Sequence, residues 1–279
     1  MALTRRRFLL GAGAGIVAAA GASAVGAQTG RGRRLLHTAG LLDGNDRSIP
    51  RADLSVDAGR LRNGQRYLIT RTGHTAQPAL AVACLHGRNN DERFAFDTIG
   101  LPASAAAAGL DIVVASLASS PGSYWHRRTS GEDPMAALID ELVPLMDARS
   151  QHGPRAVMGW SMGGYGALLA AEEHPGVFAN VVAASPAVWR RAADTAPGAF
   201  DGPDDFRAHD VLGGAARLTQ PLPVRVRIDC GADDPFVSTS KELLSAIPDV
   251  QGGIRPGFHD AAYWRTLVPD QLRFLTTGT

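Results

Sequence analysis

Cysteine and lysine are almost missing from this sequence: Cys84, Cys230 and the single Lys241 are all that 279 residues contain. Each cysteine lies in an apolar run that reads as a buried strand, which makes it a small core residue. The two strands are not expected to be neighbours in a sheet, so a disulfide is not expected. No paired Cys/His spacing calls for a structural metal. The basic residues are otherwise arginine, read here as base bias in the coding sequence and not as phosphate recognition. With a net charge of +1, and no basic run beyond the N-terminus and "RGRR" at 31–34, a nucleic-acid partner is not expected. Internal repeats and low-complexity segments are also lacking after residue 27.

One long, weakly apolar run is present, "GAGAGIVAAAGASAVGA" (11–27), preceded by "TRRRFLL" (4–10). Its glycine content is too high for a core helix, and it is short for a permanent membrane span. With Arg5 and Arg6 as the pair, the stretch reads as a twin-arginine export signal cleaved after Ala27. No cysteine near that point offers a lipid anchor. What remains, 28–279, is expected to be a single domain outside the cytoplasm, in the cell envelope or beyond, with no integral span.

After a polar lead-in (28 to about 60), expected to be irregular, strands and helices alternate. Strands are read at "QRYLITRTG" (65–73), "ALAVACLHG" (79–87), "LDIVVASLA" (110–118), "RAVMGW" (155–160), "FANVVAASP" (178–186), "PVRVRIDCG" (223–231) and "GGIRP" (252–256). Helices are read at 92–108, broken or restarted by Pro102, and after the Asp133 N-cap with Pro134 at its first position and a kink at Pro144. Others follow the "GWSMGG" turn up to Pro175 and span 240–247 and 261–277. The alternation predicts an α/β fold, a mostly parallel sheet with helices on both faces. Ligands in such sheets bind beyond the carboxyl ends of the strands.

Ser161 sits just past one of those ends, in "AVMGWSMGGYG" (156–166). Composition alone yields G-x-S-x-G about 0.2 times in such a chain, so the flanking strand and helix carry the reading. They supply the context of a sharp strand-to-helix turn that presents a nucleophile, with Gly159 and Gly163 leaving room for close packing. A serine needs a base and an orienting acid, in the chain order Ser, acid, His. Downstream, His174 looks like a helix cap and His209 lies in an irregular polar stretch. His259, in "PGFHD", is the expected base. The acid comes from "IDCGADDPF"; spacing favours Asp234, with Asp233 as its rival. Two backbone N–H groups are expected to hold an oxyanion, those of Met162 and Arg88, while His86 is read as structural.

The stretches "LHGRNND", "GWSMGGYGALLAAEEHPGVFANVVAASPAVW", "CGADDPF" and "GFHDAAYW" resemble the α/β-hydrolase superfamily, within it the esterase D and secreted mycolyltransferase group. The resemblance covers nearly all of the chain after 27. It implies an eight-stranded sheet and cofactor-free acyl chemistry on Ser161, Asp234 and His259. Two features depart from the mycolyltransferases: their acid is usually a glutamate further along, and a tryptophan stands where this chain has Ala261. Thioester hydrolases of the esterase D branch act on a cytosolic thiol metabolite, which an export signal argues against.

The leading expectation is an exported serine carboxylesterase acting on a small-molecule, lipid or sugar ester. Acyl transfer to a sugar or other alcohol is the alternative within the same chemistry, and a non-catalytic surface-binding module the alternative outside it. Substrate contacts are expected from Arg88, Asn89, Tyr124, Trp125, Trp189 and Trp264, the aromatics having core packing as their other reading. The segment 187–220, rich in Gly, Pro and Asp, reads as a lid or rim.

Overall fold

The computed structural model describes residues 29–74, 80–150, 154–218 and 224–277. The expected export signal and its cleavage point lie outside the described residues. Eight strands form one sheet: β1 (Val56–Arg60), β2 (Arg66–Arg71), β3 (Ala81–Leu85), β4 (Val113–Leu117), β5 (Arg155–Trp160), β6 (Asn180–Ala184), β7 (Arg225–Gly231) and β8 (Gln251–Arg255). Their spatial order is β1-β2-β4-β3-β5-β6-β7-β8. β2 runs antiparallel to both its neighbours, and every pairing from β4 across to β8 is parallel. This is the α/β-hydrolase arrangement, with β5 near the middle.

The apolar runs explain the layers. Alternate residues of a strand point to opposite faces, and in the central strands both faces are covered. Ala81, Ala83 and Leu85 of β3 join a core with Tyr165, Leu168 and Leu169. Val82 and Cys84, on the other face, join Trp264, Leu267 and Leu272. Cys84 and Cys230 are both unpaired and fully buried, with β5 and β6 between their strands. Burial pushes the Cys230 thiol up to about 12 and the Cys84 thiol higher still.

The helices are α1 (Gly30–Thr38), α2 (Leu101–Ala107), α3 (Pro134–Ala137), α4 (Val143–Ser150), α5 (Met162–Glu173), α6 (Pro203–Ala208), α7 (Val211–Gly214), α8 (Val237–Ala246) and α9 (Ala261–Thr276). The expected helix over 92–108 is interrupted: a π-helical turn at Phe94–Thr98 ends near Gly100, which has φ 70°, and α2 restarts with Pro102 in its first turn. The break expected at Pro144 is absorbed one turn earlier. There Leu138–Leu142 widens into a π-helix between α3 and α4, and Pro144 then falls in the first turn of α4.

The lead-in is not irregular. α1, capped by the Thr29 hydroxyl on the Gly32 N–H, and β1 both lie within it. Neither carries an apolar stripe. α1 buries no residue, and β1 is an edge strand exposed along most of its length, so neither has the run of buried apolar residues that marks the central elements.

Candidate active site

The turn between β5 and α5 is tight because three glycines let backbones meet. A Cβ on Gly159 would stand 2.1 Å from the Gly163 oxygen, one on Gly163 1.9 Å from the Leu85 oxygen, and one on Gly164 3.1 Å from the Ala184 oxygen. Ser161 itself is held at φ 56°, ψ −115°, a conformation that costs on the order of 1–3 kcal/mol and persists only where the surroundings enforce it. They do so through two hydrogen bonds: Ser161 N–H to the Ala184 oxygen at 2.9 Å, and Ala187 N–H to the Ser161 oxygen at 3.0 Å. The side chain is thereby lifted to a half-buried position above the sheet.

His259 reaches it from the loop after β8. Its Nε2 lies 2.8 Å from Ser161 Oγ and its Nδ1 2.7 Å from Asp234 Oδ2. Asp234 is fully buried, and its other oxygen accepts the Phe236 N–H at 2.8 Å. Nδ1–H therefore donates to the carboxylate, leaving Nε2 as the acceptor for the serine hydroxyl. Ser161, Asp234 and His259, 98 residues apart at their extremes, form one unbroken hydrogen-bonded chain.

Asp233 faces the other way. Its carboxylate pairs with Arg33 Nε at 2.7 Å, and its backbone oxygen accepts from Arg34 Nη1 at 3.2 Å. The "RGRR" run, assigned no role from sequence, thus braces the loop that carries the acid. His37 of α1 stacks on Phe258 at 3.9 Å and bonds Asp260 through Nε2 at 2.7 Å. Asp260 also caps α9 through the Tyr263 N–H. With Nδ1 against the Leu42 carbonyl, the His37 imidazole has an acceptor at both nitrogens; that backbone contact, opposed by burial and aided by Asp260, raises its pKa. α1 therefore touches the acid loop and the base loop together.

Of the two expected N–H donors, that of Met162 directly follows Ser161 and that of Arg88 follows Gly87, a neighbour of Ser161 in space. Met162 opens α5, so its amide belongs to the turn whose N–H groups have no partner inside the helix. The Arg88 amide donates no hydrogen bond among the described residues. Gly87 before it lies so close that a Cβ there would be 3.5 Å from Ser161 Cβ. His86 is buried and bridges loops: Nδ1–H donates to the Gly87 oxygen at 2.8 Å, and Nε2 accepts the Ser119 N–H at 3.0 Å. Burial lowers its pKa, in keeping with a neutral structural ring.

The residues expected to contact substrate divide. Trp125 is not a pocket residue: it is fully buried, packed on Gly166, with its indole N–H 3.3 Å from the His86 oxygen. Trp264 is buried beneath the base, edge-on to His259 at 5.1 Å, its N–H donating to Ser185 Oγ at 2.9 Å. Tyr124 is buried too, and burial pushes its hydroxyl up to about 12. Trp189 is half-buried and stands between Tyr124 at 5.3 Å and Phe236 at 5.4 Å, with Phe236 in turn 5.3 Å from His259. Arg88 turns its guanidinium to the Pro197 carbonyl at 2.9 Å, and Asn89 is exposed with φ 61°. Phe236, Ser185 and the α1 contacts were not anticipated; of these, only the Asp260 cap has a local sequence signal.

The segment 187–220 is a rim pinned to the body over its described part. Arg128 binds the Gly198 and Ala199 carbonyls and the Asp201 carboxylate, and it holds Asp201 well below the usual carboxylate range.

A family model described as "Putative esterase" matches residues 119–275, a span that holds Ser161, Asp234 and His259. A ferulic acid esterase structure superimposes with TM-score 0.65 at 17% identity, covering 80% of this chain and 98% of its own. The fluorophosphonate-binding serine hydrolase F of Staphylococcus aureus does so with TM-score 0.64 at 18% identity, covering 81% and 98%. An S-formylglutathione hydrolase from Agrobacterium tumefaciens gives 0.62 at 18% identity, covering 82% and 98%. No curated protein matches the sequence. The family match sets aside a binding module without chemistry. The chain belongs to this esterase family and is a serine hydrolase of the α/β-hydrolase fold.

Proposed function

We propose that the protein is an exported carboxylesterase that cleaves an acyl ester through an acyl-enzyme on Ser161. The observation that carries this reading is the continuous Ser161–His259–Asp234 hydrogen-bond chain, with the Met162 and Arg88 amides donating to no acceptor among the described residues. Ser161 Oγ attacks the ester carbonyl carbon while its proton passes to His259 Nε2. The imidazolium so formed is stabilised by Asp234, which keeps its charge. Negative charge on the carbonyl oxygen is met by the Met162 and Arg88 N–H groups, each such donor being worth about 10²–10³ in turnover. Collapse breaks the bond to the alkoxy oxygen, which takes the proton from Nε2 and leaves as the alcohol. Water then attacks the acyl-enzyme with His259 again as base, releasing the acid and restoring Ser161.

Ser161→Ala is expected to abolish hydrolysis of short p-nitrophenyl esters and labelling by a fluorophosphonate probe. A wild-type protein that takes no label overturns the reading. Transfer to a sugar alcohol shares every step up to the acyl-enzyme, and an acylated product formed with trehalose or glycerol present replaces hydrolysis with transfer. Export rests on the Arg5-Arg6 pair; changing both to Lys is expected to retain the protein in the cytoplasm, and unimpaired export removes that part of the proposal.

A further inference from the structure

Behind the aromatic wall of the site lies a second cluster of titratable groups that acyl chemistry does not use. His259, Phe236, Trp189, Phe200 and His126 follow one another in ring contact, at 5.3, 5.4, 6.4 and 5.1 Å. At the far end His126, Asp205 and His209 converge. Their candidate ligand atoms all lie within 4.8 Å of one another.

The hydrogen bonding of this cluster is short of a cation. The His126 side chain is fully buried, and its Nδ1 lies 3.2 Å from the Tyr124 carbonyl, an acceptor only, so that nitrogen carries a proton. Nε2 then presents a lone pair to Asp205 Oδ2 at 3.1 Å, an oxygen already accepting the Asp201 N–H at 2.7 Å. Two electron-rich atoms face each other with nothing to reconcile them, unless a proton or a metal ion stands between. The His209 ring stacks on His126 at 4.4 Å, so a second imidazole stands beside the same gap.

We propose that His126, Asp205 and His209 bind a divalent transition-metal ion of the zinc class. His126 contributes Nε2, His209 Nδ1 and Asp205 its carboxylate, the fourth position falling to water. Two imidazoles with one carboxylate favour zinc and its first-row neighbours over calcium or magnesium. His126 Nε2 is 3.1 Å from Asp205 Oδ2 and His209 Nδ1 3.0 Å from Oδ1, so each imidazole nitrogen faces its own oxygen of the one carboxylate. His126 also has the outer partner that metal-binding histidines need on the nitrogen facing away, the Tyr124 carbonyl. For His209, whose Nδ1 now donates to the Asp205 backbone oxygen at 2.9 Å, the Nε2 side has the Glu173 carboxylate at ion-pair distance only, 3.7 Å to Oε1. The ion would fasten α6, and with it the rim, to the loop that carries Tyr124.

The test uses the full chain stripped of metal by dialysis against a chelator and titrated with Zn²⁺ by calorimetry. One ion per chain is expected, with the melting temperature rising by about 5–10 °C at a hundredfold excess over the dissociation constant. Asp205→Asn and His209→Gln are expected to weaken binding about 100-fold, and Glu173→Gln about tenfold. Co²⁺ in place of Zn²⁺ is expected to give visible ligand-field absorption that both ligand variants lose. Lack of stoichiometric uptake by the wild type, or wild-type affinity retained in His209→Gln and Asp205→Asn, overturns the proposal. In either case a proton, and not a metal, closes the His126–Asp205 contact. His126 is left unaltered because its burial makes its replacement a folding experiment.

Discussion

The two halves of the active site are held in place by different forces. Ser161 is fixed by backbone meeting backbone at Gly159, Gly163 and Gly164, with no charged group in the arrangement. The Asp234 and His259 loops are braced from outside by α1, a helix that buries nothing and works through Arg33, Arg34 and His37. Part-buried ion pairs of that kind, each with a partner reached by water, give on the order of 1 kcal/mol each, against about 1.5–3 kcal/mol for each aliphatic side chain buried in the strand beneath the serine. The nucleophile's position is therefore a property of the fold, while the alignment of acid and base is tunable by solution conditions.

Gly163→Ala should break the first half outright. Its Cβ would overlap the Leu85 carbonyl, a backbone atom that cannot swing aside, so a stability loss above about 3 kcal/mol and no turnover are expected in denaturant titration and ester assays. A variant that folds and works would show the turn to be soft. Next in size, Asp234→Asn is expected to lower kcat by about 10⁴ with folding intact. Asp233→Asn, which removes only the Arg33 contact, should cost no more than about fivefold. A reversal of that order exchanges the two roles.

The second half can be sharpened with salt. Arg33→Ala is expected to reduce kcat/KM by about two- to fivefold in dilute buffer, and the difference should shrink in 1 M NaCl because the wild type loses the same pair to screening. Smallest is the pH effect at His37. Its pKa is raised in the folded protein, so the stabilisation is fully present below the ordinary imidazole value and lost as pH rises through the elevated one. Limited proteolysis within 29–42 should quicken over that rise, and His37→Gln should flatten the change.

Legibility in the sequence followed the same division. The central strands were readable because burial on both faces writes a continuous apolar run, and Ser161 because only glycine tolerates such approach around it. α1 and β1 were not, since elements that lie on the surface contribute no run of buried apolar residues. Choosing between Asp233 and Asp234 needed Arg33, 200 positions away. Trp125 and Trp189 look alike as letters; only the glycine at 166 distinguishes the one packed inside. The His126–Asp205–His209 cluster joins residues 79 positions apart, beyond any spacing rule.

Cys84 and Cys230 are walled off in the sheet with two strands between them. A native chain so built offers oxidants no accessible thiol, and its two cysteines stay unpaired in reducing and oxidising surroundings alike. Thiol-directed reagents should leave it untouched, so inactivation by an electrophile reports on the Ser161–His259 pair and not on a cysteine.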